Sequence, residues 1–321
     1  MVAWLRPHSH DTAASVDAVM ETSREGMRAL EVSLGALAVT AGVQLAILVV
    51  SGSVALLADT IHNFADALTA VPLAISFWLG RRPATSRYTY GYARSEDLAG
   101  VCVVVTIAAS AGLAAWEAVG RLLHPQAVGH LPWVAAAGVV GFAGNEAVAR
   151  YRVTVGRRIG SAALEADGYH ARTDGLSSLG VVAGVAGVAL GWRAADPVFG
   201  LVITAIIVLA LKGTARDIYR RLMDAVDPDL VDQVSKVLAS TPGVERVDAV
   251  RVRWIGHSLH AETEVTSDAG LSLQEAHDVA EQARHQLLHQ VRRLTSVTVH
   301  TSPCNHYGID PHALTAHHRP E

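Results

Sequence analysis

The sequence carries one nine-residue pattern twice, A-D-x-x-H-x-x-x-D, at Ala58–Asp66 and again at Ala166–Asp174. Residues four apart on a helix lie on the same face, so each copy presents an imidazole and a carboxylate together. The two pairs are His62 with Asp66 and His170 with Asp174. If the two helices face each other, four ligands converge on one point. Two imidazoles and two carboxylates suit tetrahedral Zn²⁺ and also accept Fe²⁺ or Co²⁺.

Both copies of the pattern lie in apolar stretches, where ionisable side chains are expensive. Placing one at bilayer depth costs about 2.5 to 3.5 kcal/mol, so such groups indicate a function. A structural alternative is that each Asp only hydrogen-bonds to its neighbouring His, but that does not account for the same spacing occurring twice. The other acidic residues of the pattern, Asp59 and Asp167, are interpreted as supporting or structural.

The proposed ligands also bind protons. Imidazole titrates near neutral pH, and a metal ion binds only to its deprotonated form, so metal and protons compete for the same nitrogens. This competition is sufficient chemistry for metal/proton exchange. The hypothesis is that metal binds in an inward-facing state, protons displace it in an outward-facing state, and the proton gradient drives export.

The composition indicates that these patterns belong to a membrane protein. Half of the 321 residues are hydrophobic, 17% are charged and the mean hydropathy is +0.28, which is more apolar than an average soluble domain. A spanning helix needs about 20 mostly apolar residues. Six spans are predicted, at Leu30–Val50, Ser53–Leu79, Glu96–Leu123, Leu131–Val153, Ala162–Leu190 and Asp196–Leu211. The net charge of −4 argues against a nucleic-acid partner, which usually requires a basic face.

Lys and Arg collect on one side of the predicted spans. Arginines precede the first span, and clusters of Lys or Arg follow the second, fourth and sixth. The positive-inside rule then places both termini in the cytoplasm, in agreement with an even number of spans. We therefore expect a multi-pass protein of the cell membrane, in contact with the lipid bilayer, with residues 1–28 as a cytosolic tail.

After Arg221 the composition becomes that of a soluble domain. An amphipathic helix is predicted from Pro228, and alternating apolar residues predict one strand around Val252 and another from Leu259. A third strand is predicted from Ser296. The expected order of elements in this cytosolic module is α-β-β-α-β.

Ser272 and Glu275, three residues apart, predict a capping box at the start of the second helix of the module. The expected fold class is therefore membrane α-helical, with six transmembrane helices followed by a small cytosolic α+β domain. The predicted segments are a transmembrane domain at 29–212, a linker at 213–227, the module at 228–305 and a flexible His-containing tail at 306–321.

With its six spans, paired motif, Tyr90–Glu96 loop and α-β-β-α-β module, the chain resembles the cation diffusion facilitators over almost its whole length. The resemblance implies a homodimer that exchanges a divalent transition metal, with Zn²⁺ the first choice, for protons. It also implies that residues of spans 2 and 5 form the transport site. Those residues are His62, Asp66, His170 and Asp174.

The resemblance implies two further features of the membrane domain. A basic residue at the start of span 3 locks against an acid just after span 6, and here these residues are Arg94 and Asp224. A second metal site between spans 2 and 3 is not expected, because Tyr88 and Tyr92 stand at its positions.

In the cytosolic module, His260, His277 and His300 match a binuclear regulatory site of the family. Val247 and Ser302 stand where two further ligands would be, so any site here is incomplete. One alternative is a single metal per chain, shared across a dimer. The other is three solvated histidines, since His is often exposed at protein surfaces.

Three other functions are considered: a membrane metalloenzyme, a pump driven by ATP and a metal sensor. A membrane metalloenzyme would need an open coordination position and a general base, and neither an H-E-x-x-H motif nor a nucleophile elbow is found, so no enzymatic activity is expected. A pump driven by ATP would need a P-loop or a phosphorylation domain, and neither is found in this sequence. The remaining alternative is a membrane-bound sensor that binds metal without moving it, and metal flux distinguishes it from a transporter.

Overall fold

The computed structural model describes residues 12–51, 70–123, 131–192, 194–304 and 313–318. The chain divides into two compact units, Met1–Tyr219 and Arg220–Glu321. The described part of the first unit is helical, and that of the second unit contains a small sheet with two α-helices and a short 3-10 helix, Ala313–His318. The predicted fold class, a helical membrane region followed by an α+β domain, is confirmed.

Long apolar helices form the first unit. They are α1 (Thr12–Ser51), α2 (Ala70–Gly80), α3 (Ser95–Leu123), α4 (Leu131–Ile159), α5 (Ala162–Ala189) and α6 (Ala195–Leu222). Within the described residues, four stretches are long and apolar enough to cross a membrane: Ser23–Ile47, Ser95–Leu123, Leu131–Ile159 and Pro197–Leu222. The α2 helix covers only the end of the predicted second span, because residues 52–69 lie outside the described part of the chain.

Three helices extend beyond the predicted spans, and one of them is α4, which ends at Ile159 rather than Val153. The α1 helix begins at Thr12, well before Leu30, and α6 continues to Leu222 rather than ending at Leu211. The start of the predicted linker, residues 213–222, is therefore helical. Hydropathy falls at these positions, but they contain no Pro and are rich in good helix formers such as Ala and Arg, so the helices continue past Gly26 and Gly213.

The α4 and α5 helices pack closely along their facing sides. A Cβ atom added at Gly168 of α5 would lie 2.7 Å from Val153 Cγ2 and 2.9 Å from Val153 N on α4. Glycine at this position therefore allows the two backbones to approach. The tight connection between the helices ends at Ser161, whose Oγ accepts a hydrogen bond from Leu164 N at 3.0 Å and caps α5.

The second unit has the predicted α-β-β-α-β order. Its elements are α7 (Pro228–Ala239), β1 (Arg246–Ile255), β2 (Ser258–Ser267), α8 (Leu273–Gln290) and β3 (Leu294–Pro303). The strand order is β1-β2-β3, with β1 antiparallel to β2 and β2 parallel to β3. A parallel pair needs a crossover, and α8 supplies it. The buried core contains Leu238, Leu259, Val265, Ala283 and Leu287.

The predicted capping box at the start of α8 is present, and it supports a stability prediction. Ser272 Oγ accepts a hydrogen bond from Glu275 N at 3.3 Å, and Ser272 N donates to Glu275 Oε2 at 2.8 Å. Losing an N-cap costs about 1 kcal/mol, so in Ser272→Ala the amides of the first turn of α8 should exchange hydrogen about five-fold faster. Hydrogen exchange of the full chain measures this, with the exposed Ser296→Ala as the control. Equal exchange in both variants would contradict the prediction.

The same cap makes this helix end sensitive to acid. Hydrogen bonds from the backbone and side chain of Ser272 lower the pKa of Glu275 from its ordinary value. Because the folded pKa lies below the unfolded one, the carboxylate stabilises the helix above the ordinary glutamate pKa. That contribution is lost as the pH falls through the lowered folded pKa.

Candidate metal transport site

Three polar residues of the second pattern line one buried face of α5. Asp167, His170 and Asp174 are 0%, 2% and 8% exposed, on a helix otherwise rich in Ala, Gly and Val. Their spacing of three, then four, residues places them one above the other along that face. The predicted alignment of His170 with Asp174 is thus present in the structure.

His170 and Asp174 lie side by side without bonding to each other directly. His170 Nδ1 is 3.8 Å from Asp174 Oδ1, which is too long for a hydrogen bond. The structural alternative, in which the Asp of the pattern hydrogen-bonds to its own His, therefore does not describe this pair. An imidazole nitrogen and a carboxylate oxygen at this separation can both be ligands of one divalent ion.

The first copy of the pattern, with Asp59, His62 and Asp66, lies at positions 52–69, outside the described residues. The described part of the chain therefore contains two of the four predicted ligands of the transport site. In that part, no group of three or more His, Cys, Asp or Glu side chains comes close enough to hold an ion.

Asp167 forms a buried ion pair with α4. Its Oδ2 lies 2.8 Å from Arg152 Nη1, and the two side chains are 0% and 3% exposed. A buried carboxylate without a cation would be very unfavourable, so Arg152 stabilises the charge of Asp167. The supporting or structural role of Asp167 stays a prediction, and this ion pair is the contact by which it would act.

A second ion pair joins the same helices on the other side of His170. Arg172 of α5 donates to both carboxylate oxygens of Glu146 on α4, at 3.1 and 3.3 Å, and Glu146 also accepts from Arg150 at 2.7 Å. Two α4–α5 ion pairs, Arg152–Asp167 and Arg172–Glu146, thus hold the segment of α5 that carries His170.

Sequence reasoning did not identify Arg152 and Glu146 as partners of α5. From the sequence, Arg152 is interpreted only as one of the cations that follow span 4 and indicate the orientation of the chain in the membrane. The available signal is a charged residue within a long apolar helix, because such residues usually pair with one another.

The predicted interlock residues are in different units. Arg94 immediately precedes α3 in the first unit, and Asp224 follows α6 in the second, where its backbone has a positive φ of 55°. In the loop before α3, the rings of Tyr88 and Tyr92 pack with centroids 4.7 Å apart.

The three histidines of the module occupy three different elements. His260 on β2 pairs in register with Arg253 of β1, His300 on β3 pairs with Glu264 of β2, and His277 is exposed on α8. These three residues are among the described ones, which contain no cluster of three potential metal ligands. Within one chain they do not form a site, and a site shared between two chains stays a prediction.

Two family models match the chain over almost its whole length. The model described as "Cation efflux transmembrane domain" matches residues 30–223, and "Cation efflux protein, cytoplasmic domain" matches residues 226–304. The chain belongs to the cation efflux family. This family, the cation diffusion facilitators, is the one that the sequence resembles, and the resemblance is confirmed.

Relatives within the cation efflux family range from near to distant. A probable cation efflux system protein of Mycobacterium tuberculosis is 57% identical over 305 residues, 95% of this chain and 92% of that protein. The manganese efflux system protein MneP of Bacillus subtilis is 24% identical over 79% of this chain and 88% of its own. Among solved structures, the nickel form of a MamM C-terminal domain is 20% identical, with a TM-score of 0.24, over 25% of this chain and all of that one.

Membership of the cation efflux family establishes the general role of the chain. It is a membrane protein of a metal-cation transport family, and that family is one of transporters rather than enzymes. The cytoplasmic domain belongs to a family of dimerisation domains. Metal cations are accordingly the substrates, not resident cofactors.

Proposed function

We propose that this protein exports divalent transition-metal ions, Zn²⁺ foremost, from the cytosol across the cell membrane in exchange for protons. One observation carries the proposal: His170 and Asp174 lie 3.8 Å apart on a buried face of a long apolar helix. Membership of the cation efflux family supports the direction of transport.

The transport site that we propose contains four ligands, two from each copy of the pattern. His62 and Asp66 would complete the coordination begun by His170 and Asp174. Two carboxylates balance the charge of a divalent ion, and two imidazoles favour a borderline metal such as Zn²⁺, Fe²⁺ or Co²⁺ over Mg²⁺ or Ca²⁺. The name of MneP adds Mn²⁺ to the metals worth testing.

Exchange for protons follows from the chemistry of the same ligands. A metal ion binds to carboxylates and neutral imidazoles, and protons bind to the same atoms when the metal leaves. A site open to the acidic side of the membrane therefore releases metal as it takes up protons. A site open to the cytosol does the reverse, so the proton gradient drives export.

The remaining features of the proposal concern topology and assembly. Both termini face the cytoplasm, because the cations following the even-numbered spans collect on that side. Two chains associate through their cytosolic modules, and Arg94 and Asp224 remain the charge interlock that the family resemblance implies. Any metal site at His260, His277 and His300 is shared across it. The segments are the transmembrane domain at 29–212, the linker at 213–227, whose first part is the helical end of α6, and the module at 228–305, with tails at 1–28 and 306–321.

The test is metal uptake by purified full-length protein in proteoliposomes with an imposed pH gradient. Zn²⁺, Fe²⁺, Co²⁺ and Mn²⁺ are compared at equal concentrations, with and without an ionophore that collapses the gradient. Uptake that follows the gradient supports exchange, and the relative rates rank the metals. Metal binding without flux would reject the transporter and favour the sensor.

A further inference from the structure

We propose that the C-terminal end of α6 binds the anionic phospholipid headgroups of the bilayer that this helix crosses. The surface consists of Lys212, Arg216, Tyr219 and Arg220, here named the α6 basic face. This inference is independent of which metal is carried and of proton exchange. It requires only that α6 spans a membrane, for which its length and apolar composition qualify it.

The four side chains occupy one side of the helix. Successive residues of an α-helix are about 100° apart around the axis. Arg216, Tyr219 and Arg220 follow Lys212 by four, seven and eight residues. The four residues therefore lie within an arc of about 100°. All four are exposed, Tyr219 by 62%. Asp217 is the one acidic residue in 212–222, and it lies about 60° beyond Arg220, outside the face.

Within the part of the chain that the structure describes, the charges of the α6 basic face have no acidic partner. Among the described residues, Lys212, Arg216 and Arg220 make no ion pair. The cations of the α4 C-terminal half differ: Arg157 lies 2.9 Å from Glu165, and Arg158 lies 3.2 Å from Glu25. Three cations on one helix face, without an ion pair among the described residues, create a positive potential. This potential attracts an anionic surface.

The position of the α6 basic face identifies its partner. The face continues the apolar stretch of α6 without a break in the helix, so its cations come where the helix leaves the hydrocarbon region. Leu222 and Met223, 38% and 63% exposed, extend the surface with apolar side chains. Tyrosine is enriched at membrane interfaces, and basic clusters directly beyond a spanning helix attract anionic lipids.

The experiment compares lipid binding by full-length variants in detergent, with native mass spectrometry counting the phosphatidylglycerol and phosphatidylcholine molecules retained. In Lys212→Gln/Arg216→Gln/Arg220→Gln we expect a loss of phosphatidylglycerol affinity on the order of 100-fold at low salt, and little change for phosphatidylcholine. The control is Lys236→Gln/Arg251→Gln/Arg284→Gln, which removes the same charge from exposed positions of the module. It should leave the affinity within about two-fold.

A charge-preserving variant and a change of salt concentration test whether the binding is electrostatic. The charge-preserving variant Lys212→Arg/Arg216→Lys/Arg220→Lys should retain wild-type affinity, and raising the salt concentration should weaken binding by the wild type. Equal phosphatidylglycerol retention by the two Gln triples would overturn the proposal. Competition by inorganic phosphate at similar concentration would also overturn it, because it would indicate a site for a soluble anion. A shift to monomer in Lys212→Gln/Arg216→Gln/Arg220→Gln would overturn it as well, because it would indicate contact with a second copy.

Discussion

Asp174→Asn should reduce metal flux by on the order of 100-fold or more. The substitution keeps the shape of the side chain but removes the negative charge that would balance a divalent ion. Changing residues that merely support a metal ligand costs 10- to 100-fold, so losing a ligand should cost at least as much. The measurement is the initial rate of uptake into proteoliposomes under a fixed pH gradient.

The control for Asp174→Asn is Asp232→Asn, the same chemical change at an exposed position of α7. It should transport at the wild-type rate. His170→Ala tests the neighbouring ligand by the same assay and should be equally impaired. Wild-type flux in Asp174→Asn would place the transport site elsewhere in the membrane domain.

Arg152→Met should destabilise the membrane domain by about 3 to 5 kcal/mol, the largest stability effect expected in the described part of the chain. The substitution keeps much of the volume of the side chain but leaves the fully buried carboxylate of Asp167 without its cation at 2.8 Å. We expect a clear decrease in the temperature at which the purified protein unfolds in detergent.

Removing both charges separates the cost of an orphaned carboxylate from the value of the ion pair. Arg152→Met/Asp167→Leu should recover most of the lost stability, because an apolar pair can replace a buried ion pair at little cost. Arg158→Met is the matched control. Its pair with Glu25 is exposed, and such pairs contribute about 0 to 1 kcal/mol. Equal unfolding temperatures for Arg152→Met and Arg158→Met would contradict a structural role for the buried pair.

Features that depend on local sequence could be predicted well. The alignment of His170 with Asp174 follows from helical period alone, and the capping box at Ser272 follows from two residue types at a fixed spacing. The strands of the module follow from alternation of apolar and polar residues around Val252 and Leu259. Each of these needs only the conformation of one element.

Features that depend on how two elements pack could not be predicted in this way. The partner of Asp167 depends on which face of α4 meets α5, and that is decided by close backbone approach at Gly168. The continuation of α6 past Leu211 could not be predicted for another reason: hydropathy marks where a helix leaves the membrane, but helix propensity decides where it ends.

The strand order of the module has a consequence for how the protein is made. Among the described residues, β3 pairs with β2 alone and contributes Leu294 and Val297 to the core, and it follows β1 and β2 in the chain. Until β3 is synthesised, the module consists of α7, the β1–β2 hairpin and α8, and its core lacks the side chains of Leu294 and Val297. The spanning helices are thus synthesised well before the module can close. A chain that stops before Leu294 would leave β2 without its parallel partner and expose core side chains that β3 otherwise covers.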